Sequence, residues 1–223
     1  MTTKLLFSAI IKLLLGILLV GSLVFLPAGS LHFFGGMLLM GTLFVPMTIT
    51  GIFLMLFSPD LLKKRLESKE KEKNQSVLVK LSGIMFVIGF VVAGLDFRFS
   101  VLPMPLWTMI SASVVLIFGY VLYGVVLFQN RYLSRTIKVE NGQELVDTGL
   151  YSVVRHPMYL ATILMFLAIP MVLGSVISLA VFLFYPAIIV VRIIGEEKIL
   201  EKQLFGYAEY KKKVKYRLIP FVW

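Results

Sequence analysis

The stretch LWTMISASVVLIFGYVLYGVVLF, from Leu106 to Phe128, holds no charged residue. A helix needs about 20 apolar residues to cross the hydrocarbon core of a bilayer, so this stretch predicts a transmembrane helix. Five other apolar runs have the same character. The six predicted spans are Leu5–Leu26, Gly35–Phe57, Val77–Leu95, Leu106–Phe128, Met158–Leu173 and Val176–Ile194.

The composition agrees with a membrane protein. Hydrophobic residues make up 59% of the chain and charged residues 15%, whereas soluble domains carry about 25% charged residues. The runs lack the short alternating pattern of a membrane β-barrel. We therefore predict an all-α, polytopic transmembrane bundle. Its last two spans form a short hairpin, because only Gly174 and Ser175 separate them.

Basic residues indicate the orientation of this bundle. If the N-terminus is cytoplasmic, Arg98 is the one residue of 22 Lys and Arg in an outer loop, so 21 lie inside or within spans. Cytoplasmic loops of membrane proteins carry such an excess. We predict that both termini are cytoplasmic, and we interpret the charged loop 58–76 as an orientation signal rather than a binding patch. The net charge of +10 then indicates contact with the bilayer, with no nucleic-acid partner.

Several site chemistries are absent. The chain has no cysteine and only His32 and His156, which excludes disulfides, thiolate nucleophiles and multi-histidine metal sites. It has no G-x-G-x-x-G or Walker sequence. Membrane-embedded acids and bases are few, with Lys12 the main exception, which disfavours a transporter or ion pump.

One candidate cluster spans Gly149 to Tyr159. Pro157 suits the first turn of a helix, which puts Arg155 and His156 at the helix mouth near the lipid headgroups. Backbone N–H groups there favour an anion. The alternative is that Arg155 reaches lipid phosphate and His156 caps the helix.

A second cluster is the acidic pair Glu196 and Glu197, at the predicted end of the last span. Acidic residues at a helix C-terminus oppose the helix dipole, so a cation should compensate them. That cation is either a protein side chain, with Arg192, Arg155 and Lys198 as candidates, or a positively charged ligand.

The third cluster is the tail. Apolar residues recur there at helical spacing, and lysines occupy much of the remaining surface. We predict an amphipathic helix that anchors the tail to anionic lipid and that can also act as a lid. The apolar positions are Leu200, Leu204, Tyr207, Tyr210 and Val214.

The ordered motifs resemble the isoprenylcysteine carboxyl methyltransferase and phospholipid methyltransferase superfamily, whose members are integral membrane enzymes that use S-adenosylmethionine. The resemblance covers about Gln129 to Trp223. The motifs are Gly149-x-Tyr151, Arg155-His156-Pro157-x-Tyr159, Glu196-Glu197-x-x-Leu200, Phe205-Gly206, Tyr207-x-x-Tyr210-x-x-x-Val214 and Arg217-Leu218-Ile219-Pro220.

This resemblance implies a cofactor site near the cytoplasmic face, between the loop before the hairpin and the tail. It implies a methyl acceptor that is lipophilic or small, with Arg155 and Arg192 positioning it. The implied cofactor contacts are Gln143, Glu144, Leu145, Val146, Tyr151, His156, Pro157, Met158, Tyr159 and Glu197.

The predicted organisation is an N-terminal set of transmembrane helices in residues 1–128 and a methyltransferase-like region in 129–223. Two other functions stay open. One is a sterol-reductase-like enzyme that uses NADPH, and the other is a non-catalytic membrane protein that keeps the fold. The sequence alone does not indicate the acceptor, the methylated atom or the oligomeric state.

Overall fold

A computed structural model describes residues 3–67, 72–134, 136–137 and 139–223, and only the backbone of residues 73 and 74. Part of the charged loop, residues 68–71, lies outside this description. The regular elements of the described ranges are helices. These ranges also contain one isolated antiparallel β-bridge, between Pro103 and Ser175. The helices are α1 (Thr3–Ala28), α2 (Phe34–Phe57), α3 (Pro59–Leu66), α4 (Lys73–Phe99), α5 (Leu106–Gln129), a 3-10 turn (Gly149–Ser152), α6 (Pro157–Val172), α7 (Val176–Phe182), α8 (Phe184–Gln203) and α9 (Tyr207–Lys213).

The predicted polytopic helical bundle is confirmed. Within the described ranges, five stretches are long and apolar enough to cross a membrane, and α6 is a shorter apolar helix between them. The last of the five is formed by α7 and α8 together. The protein is thus an integral, multi-pass membrane protein, while the cytoplasmic position of its termini stays a prediction.

The helix of the last span is longer than the predicted apolar span. α8 continues past Ile194 to Gln203, because the sequence EEKILEKQ is rich in strong helix formers and holds no breaker. The helix therefore outlasts its apolar stretch. Glu196 and Glu197 lie inside it rather than at its C-terminus, so the expected conflict with the helix dipole does not arise.

The loop after α2 is partly structured. Pro59 begins α3, as suits the first turn of a helix. Leu61 and Leu62 are buried against Met55 of α2 and Leu127 of α5. About two turns of the predicted charged loop thus form a helix that packs on the bundle.

The hydrophobic core is continuous across the predicted boundary at residue 128. Leu39 of α2, Leu116 of α5, Ile169 of α6 and Phe182 of α7 belong to one buried cluster. α5 and α6 approach closely at Gly119, where an added Cβ would lie 2.5 Å from Met165 Cγ. Small residues at such crossings allow membrane helices to pack tightly.

The hairpin between α6 and α7 is held by a buried carboxylate. Ser175 Oγ donates to Asp96 Oδ2 at 2.5 Å and accepts from the backbone N–H of Ser178 at 3.1 Å. Asp96 Oδ1 accepts from the N–H of Leu102 at 2.9 Å. The predicted turn at Gly174 has φ +74°, which glycine adopts without strain. These bonds fix the hairpin that carries the site at its other end.

The tail differs from the predicted lipid anchor. Its helix is only α9, and its apolar face packs on protein: Leu204, Tyr207, Tyr210 and Val214 are buried with Leu145 as a neighbour. The prediction that this face anchors to lipid is therefore wrong, because the loop before the 3-10 turn covers it. The lysines on the opposite face pair with acids, in Lys211–Glu201, Lys212–Glu209 and Lys213–Asp147.

Candidate functional site

A cavity opens where the loop after α5 meets the start of α6, the end of α8 and the lid-like α9. It brings together most of the residues predicted from the sequence. The predicted residues that line it are Gln143, Glu144, Leu145, Val146, Tyr151, Arg155, His156, Met158, Tyr159 and Arg192. Pro157 and Glu197 are not among the lining residues: Pro157 begins α6 and is buried, and Glu197 turns toward the tail.

Glu197 ties three parts of the chain together beside this cavity. Its carboxylate accepts from Arg155 Nε at 2.7 Å and from Arg217 Nε at 2.9 Å, and His156 Nε2 lies 3.4 Å from it. Only 3% of its surface is exposed. The sequence left two kinds of cation open as partners of the acidic pair, a protein side chain or a ligand. For Glu197, the structure shows protein side chains. Contact between Glu197 and a cofactor stays a prediction.

The guanidinium of Arg155 also makes several hydrogen bonds within the protein. Besides Glu197, its Nη1 donates to the carbonyls of Val214 at 2.6 Å and Lys215 at 2.8 Å. The backbone N–H groups of Arg155 and His156 donate to the tail carbonyls of Tyr216 and Arg217. Both side chains are buried, so neither reaches lipid phosphate. His156 occupies the N-cap position of α6, but its side chain makes no capping hydrogen bond. Arg155 holds the tail on the mouth of α6, and its role in positioning an acceptor stays a prediction.

The other glutamate, Glu196, faces the cavity. Tyr159 Oη donates to Glu196 Oε2 at 2.5 Å and accepts from Arg192 Nε at 3.0 Å. Arg192 Nη1 lies 3.4 Å from Gln75 Oε1 of α4. An anionic oxygen and a guanidinium thus flank one buried phenol at the membrane-side end of the cavity.

Tyr151 forms the floor between the loop and the tail. Its hydroxyl accepts from Asn130 Nδ2 at 3.1 Å, and its carbonyl accepts from Tyr210 Oη at 2.7 Å. Burial raises the pKa of Tyr151 and of Tyr210, so both remain neutral phenols. The preceding Gly149 has φ +60°, and an added Cβ would lie 2.6 Å from the amide of Gln129. This glycine allows the turn that presents Tyr151.

One polar atom on the wall lacks a partner. The hydroxyl of Tyr207 is buried and has no hydrogen-bond partner in the described part of the chain. Burial, with the nearby Glu197 and Glu196, raises the pKa of this phenol, so it keeps its proton. A buried hydroxyl without a partner costs about 1–3 kcal/mol, and a ligand in the cavity would satisfy it.

The wall presents two polar groups that differ in hydrogen-bonding character. Glu196 offers a carboxylate to a cationic group, and Tyr207 offers an O–H to an acceptor. The space between the walls is only about 100 Å³, below the ~300–1,000 Å³ of typical ligand sites. Binding of a ligand of that size therefore requires a wall to move. One wall is formed by α9, which follows a sharp turn at Gly206, where φ is +82°.

Glu196 and Tyr207 were not among the predicted site residues. The sequence offered weak signals for both. Glu196 is adjacent to the glutamate that was chosen, and a one-residue shift turns a helical side chain by about 100°. Tyr207 was assigned to the apolar stripe of the tail, and its hydroxyl is visible only once the stripe is seen to face the cavity. No group of three or more potential metal ligands occurs in the ranges that the structure describes.

Comparisons with known proteins concern the region that forms much of this cavity. Residues 109–202 match the Isoprenylcysteine carboxyl methyltransferase (ICMT) family. The predicted resemblance is confirmed. The ICMT-like region begins in α5 and ends with α8, and it contains the loop, the hairpin and both glutamates. The matched region covers less than half of the chain.

Two curated proteins are among those similar to part of this chain. The Delta(14)-sterol reductase of Mus musculus is 35% identical over 91 residues, which are 40% of this chain and 22% of the reductase. The uncharacterized protein YpbQ of Bacillus subtilis (strain 168) is 32% identical over 97 residues, which are 43% of this chain and 58% of that protein. The chain thus spans under two thirds of either relative.

Proposed function

We propose that the protein is an integral membrane methyltransferase that uses S-adenosylmethionine and acts on a lipophilic or small acceptor. The observation that carries the proposal is the cavity in the ICMT-like region. Its walls present a carboxylate on Glu196 and an unpartnered, buried hydroxyl on Tyr207.

The chain's own residues would divide the work between them. Glu196 would hold a cationic group of the cofactor, and Tyr207 would donate to one of its acceptor atoms. The wall from Gln143 to Val146 and α9 would exclude water once closed. When bound, S-adenosylmethionine supplies a methyl group on a sulfonium centre. The contacts of Glu197 with Arg155 and Arg217, here called the Glu197 junction, would keep the loop, α6 and the tail in register. This would help to align methyl donor and acceptor, as an in-line displacement needs.

The acceptor would enter at the membrane-side end, beside Tyr159 and Arg192. The guanidinium of Arg192 favours an anionic acceptor group, and a carboxylate needs no general base because it is already deprotonated. An amine or thiol acceptor would have to lose a proton. The hydroxyl of Tyr159 donates a hydrogen bond to Glu196 and keeps its proton, so it is poorly placed to act as a general base.

The match to a sterol reductase favours one second candidate, a membrane reductase that uses NADPH. Both candidates place their cofactor in the same cavity, so the bound cofactor separates them. The non-catalytic reading predicts that neither compound binds.

Purified protein in detergent, incubated with S-adenosylmethionine labelled on its methyl group and with a membrane lipid extract, tests the proposal. We expect label in a lipid or small acceptor that gains the mass of one methylene. His156→Ala should lower transfer, with the exposed Lys212→Ala as a matched control. Turnover of NADPH without methyl transfer would overturn the proposal in favour of the reductase.

A further inference from the structure

We propose that Lys64 of α3 is a positioning residue that holds the loop wall of the cavity from outside the ICMT-like region. The identity of the ligand rests on the proposed function, but the position of the loop does not. α3 comes before residue 109, where the family match begins, so nothing in the match assigns it a role.

The Lys64 ammonium contacts the loop at three points. Nζ lies 2.7 Å from Glu140 Oε2 and 3.3 Å from the carbonyl oxygen of Arg131, and it stands 5.6 Å from the ring centre of Tyr132. The side chains of Lys64 and Glu140 are 20% and 27% exposed. Partial burial limits screening, so this pair is worth more than an exposed one.

Glu140 passes this restraint on to the cavity. The backbone N–H of Gln143 donates to the carbonyl of Glu140, and the N–H of Glu140 donates to Gln143 Oε1, both at 3.0 Å. Gln143 is the first residue of the wall segment that continues to Val146. The path from Lys64 to the wall is therefore one ion pair and one closed turn.

The next residue of α3 reaches the opposite wall. Arg65 Nη1 lies 3.7 Å from Met158 Sδ, and the guanidinium donates to Tyr123 and lies 5.2 Å from its ring centre. Met158 lines the cavity at the start of α6. Two consecutive residues thus brace two walls from one helix, which is itself fixed by the buried Leu61 and Leu62.

This arrangement makes the N-terminal helices part of the site. The loop wall has α9 on one side, where Leu145 packs near Gly206, and α3 on the other. If α3 keeps the loop in place, the movement that admits a ligand falls mainly to α9. The loop wall then stays preorganised, which lowers the ordering cost of binding.

Hydrogen exchange of the amides in residues 139–146, measured without ligand, tests the restraint. Lys64→Ala should raise their exchange about fivefold, as expected for loss of a partly buried ion pair, and leave the exchange of α6 unchanged. Glu140→Ala should do the same. Lys64→Glu combined with Glu140→Lys should restore part of the wild-type protection, because it recovers the ion pair but not the contacts with Arg131 and Tyr132. Lys212→Ala, which breaks an exposed pair, should have no effect. If Lys64→Ala does not fold, Lys64→Gln replaces it.

Binding of S-adenosylmethionine to the same variants gives a second result. We expect the dissociation constant to rise about fivefold in Lys64→Ala and to recover in part in the charge-swapped pair. Unchanged loop exchange in Lys64→Ala would overturn the proposal, whether or not the unfolding temperature falls. If wild-type protein binds no S-adenosylmethionine, the proposed function fails, while the exchange data still decide the role of Lys64.

Discussion

Replacing Glu197 by alanine should loosen the attachment of the tail to the mouth of α6. Glu197 is 3% exposed and accepts from Arg155 and Arg217. The side chain of Arg155 is itself only 3% exposed. Without the carboxylate, its guanidinium stays buried with only the two tail carbonyls as partners.

The magnitude follows from this geometry. Removing one partner of a buried ion pair costs about 3–5 kcal/mol, because the other charge stays uncompensated. For a chain of this size, each kcal/mol lowers the unfolding temperature by about 2–4 °C, which gives roughly 6–20 °C in total. Glu201 lies on the same helix and pairs with Lys211 at 37% exposure. Glu201→Ala should cost about 1 kcal/mol or less.

Tryptophan fluorescence can follow the tail directly. Arg217 stacks 5.0 Å from the ring centre of Trp223, and Trp107 is the second tryptophan in the chain. In a Trp107→Phe background, Glu197→Ala should shift the Trp223 emission and expose the tail to trypsin after Lys215. An unfolding temperature and tail protection equal to those of Glu201→Ala would refute this account of the junction.

Three further predictions concern the walls of the cavity. Tyr207→Phe should weaken ligand binding while leaving the unfolding temperature equal or higher, because it removes a buried hydroxyl without a protein partner; a drop in stability with unchanged binding would contradict this. Gly149→Ala should destabilise the protein by about 1–2 kcal/mol because of its positive φ and the nearby Gln129 amide. Gly124→Ala should be neutral or stabilising, because an added Cβ there would have nothing within 4 Å. Chemical unfolding of the two variants compares their stabilities. Burial raises the pKa of Tyr210 above its usual 10, so the stability that its hydroxyl contributes is complete below pH 10 and is lost as the pH rises further. In the Trp107→Phe background, the Trp223 emission should therefore begin to shift above about pH 10, and Tyr210→Phe should flatten that shift.

The membrane helices were predictable because the bilayer imposes a simple rule on sequence. A helix in lipid must be long and apolar, so the runs marked the spans to within a few residues. The rule says nothing once the chain leaves the bilayer. α8 extends to Gln203 and α3 forms after Pro59 for reasons of helix propensity and packing, which hydropathy does not report.

The sequence predicted those cavity-lining residues that belong to motifs with fixed spacing. Tyr151, His156 and Tyr159 all line the cavity. The choice between Glu196 and Glu197 was not predictable, because it depends on the rotation of α8 against α6. The partners of Lys64 lie 67 and 76 residues away along the chain, and no local pattern encodes such a separation.

The cofactor is the central claim, and equilibrium binding of S-adenosylmethionine to purified wild-type protein tests it most directly. Titration in detergent, with NADPH as the competing ligand, gives the decisive comparison. We predict saturable binding of S-adenosylmethionine that NADPH does not displace, weakened in Tyr207→Phe and unchanged in Lys212→Ala. Binding of NADPH with no binding of S-adenosylmethionine would contradict the account.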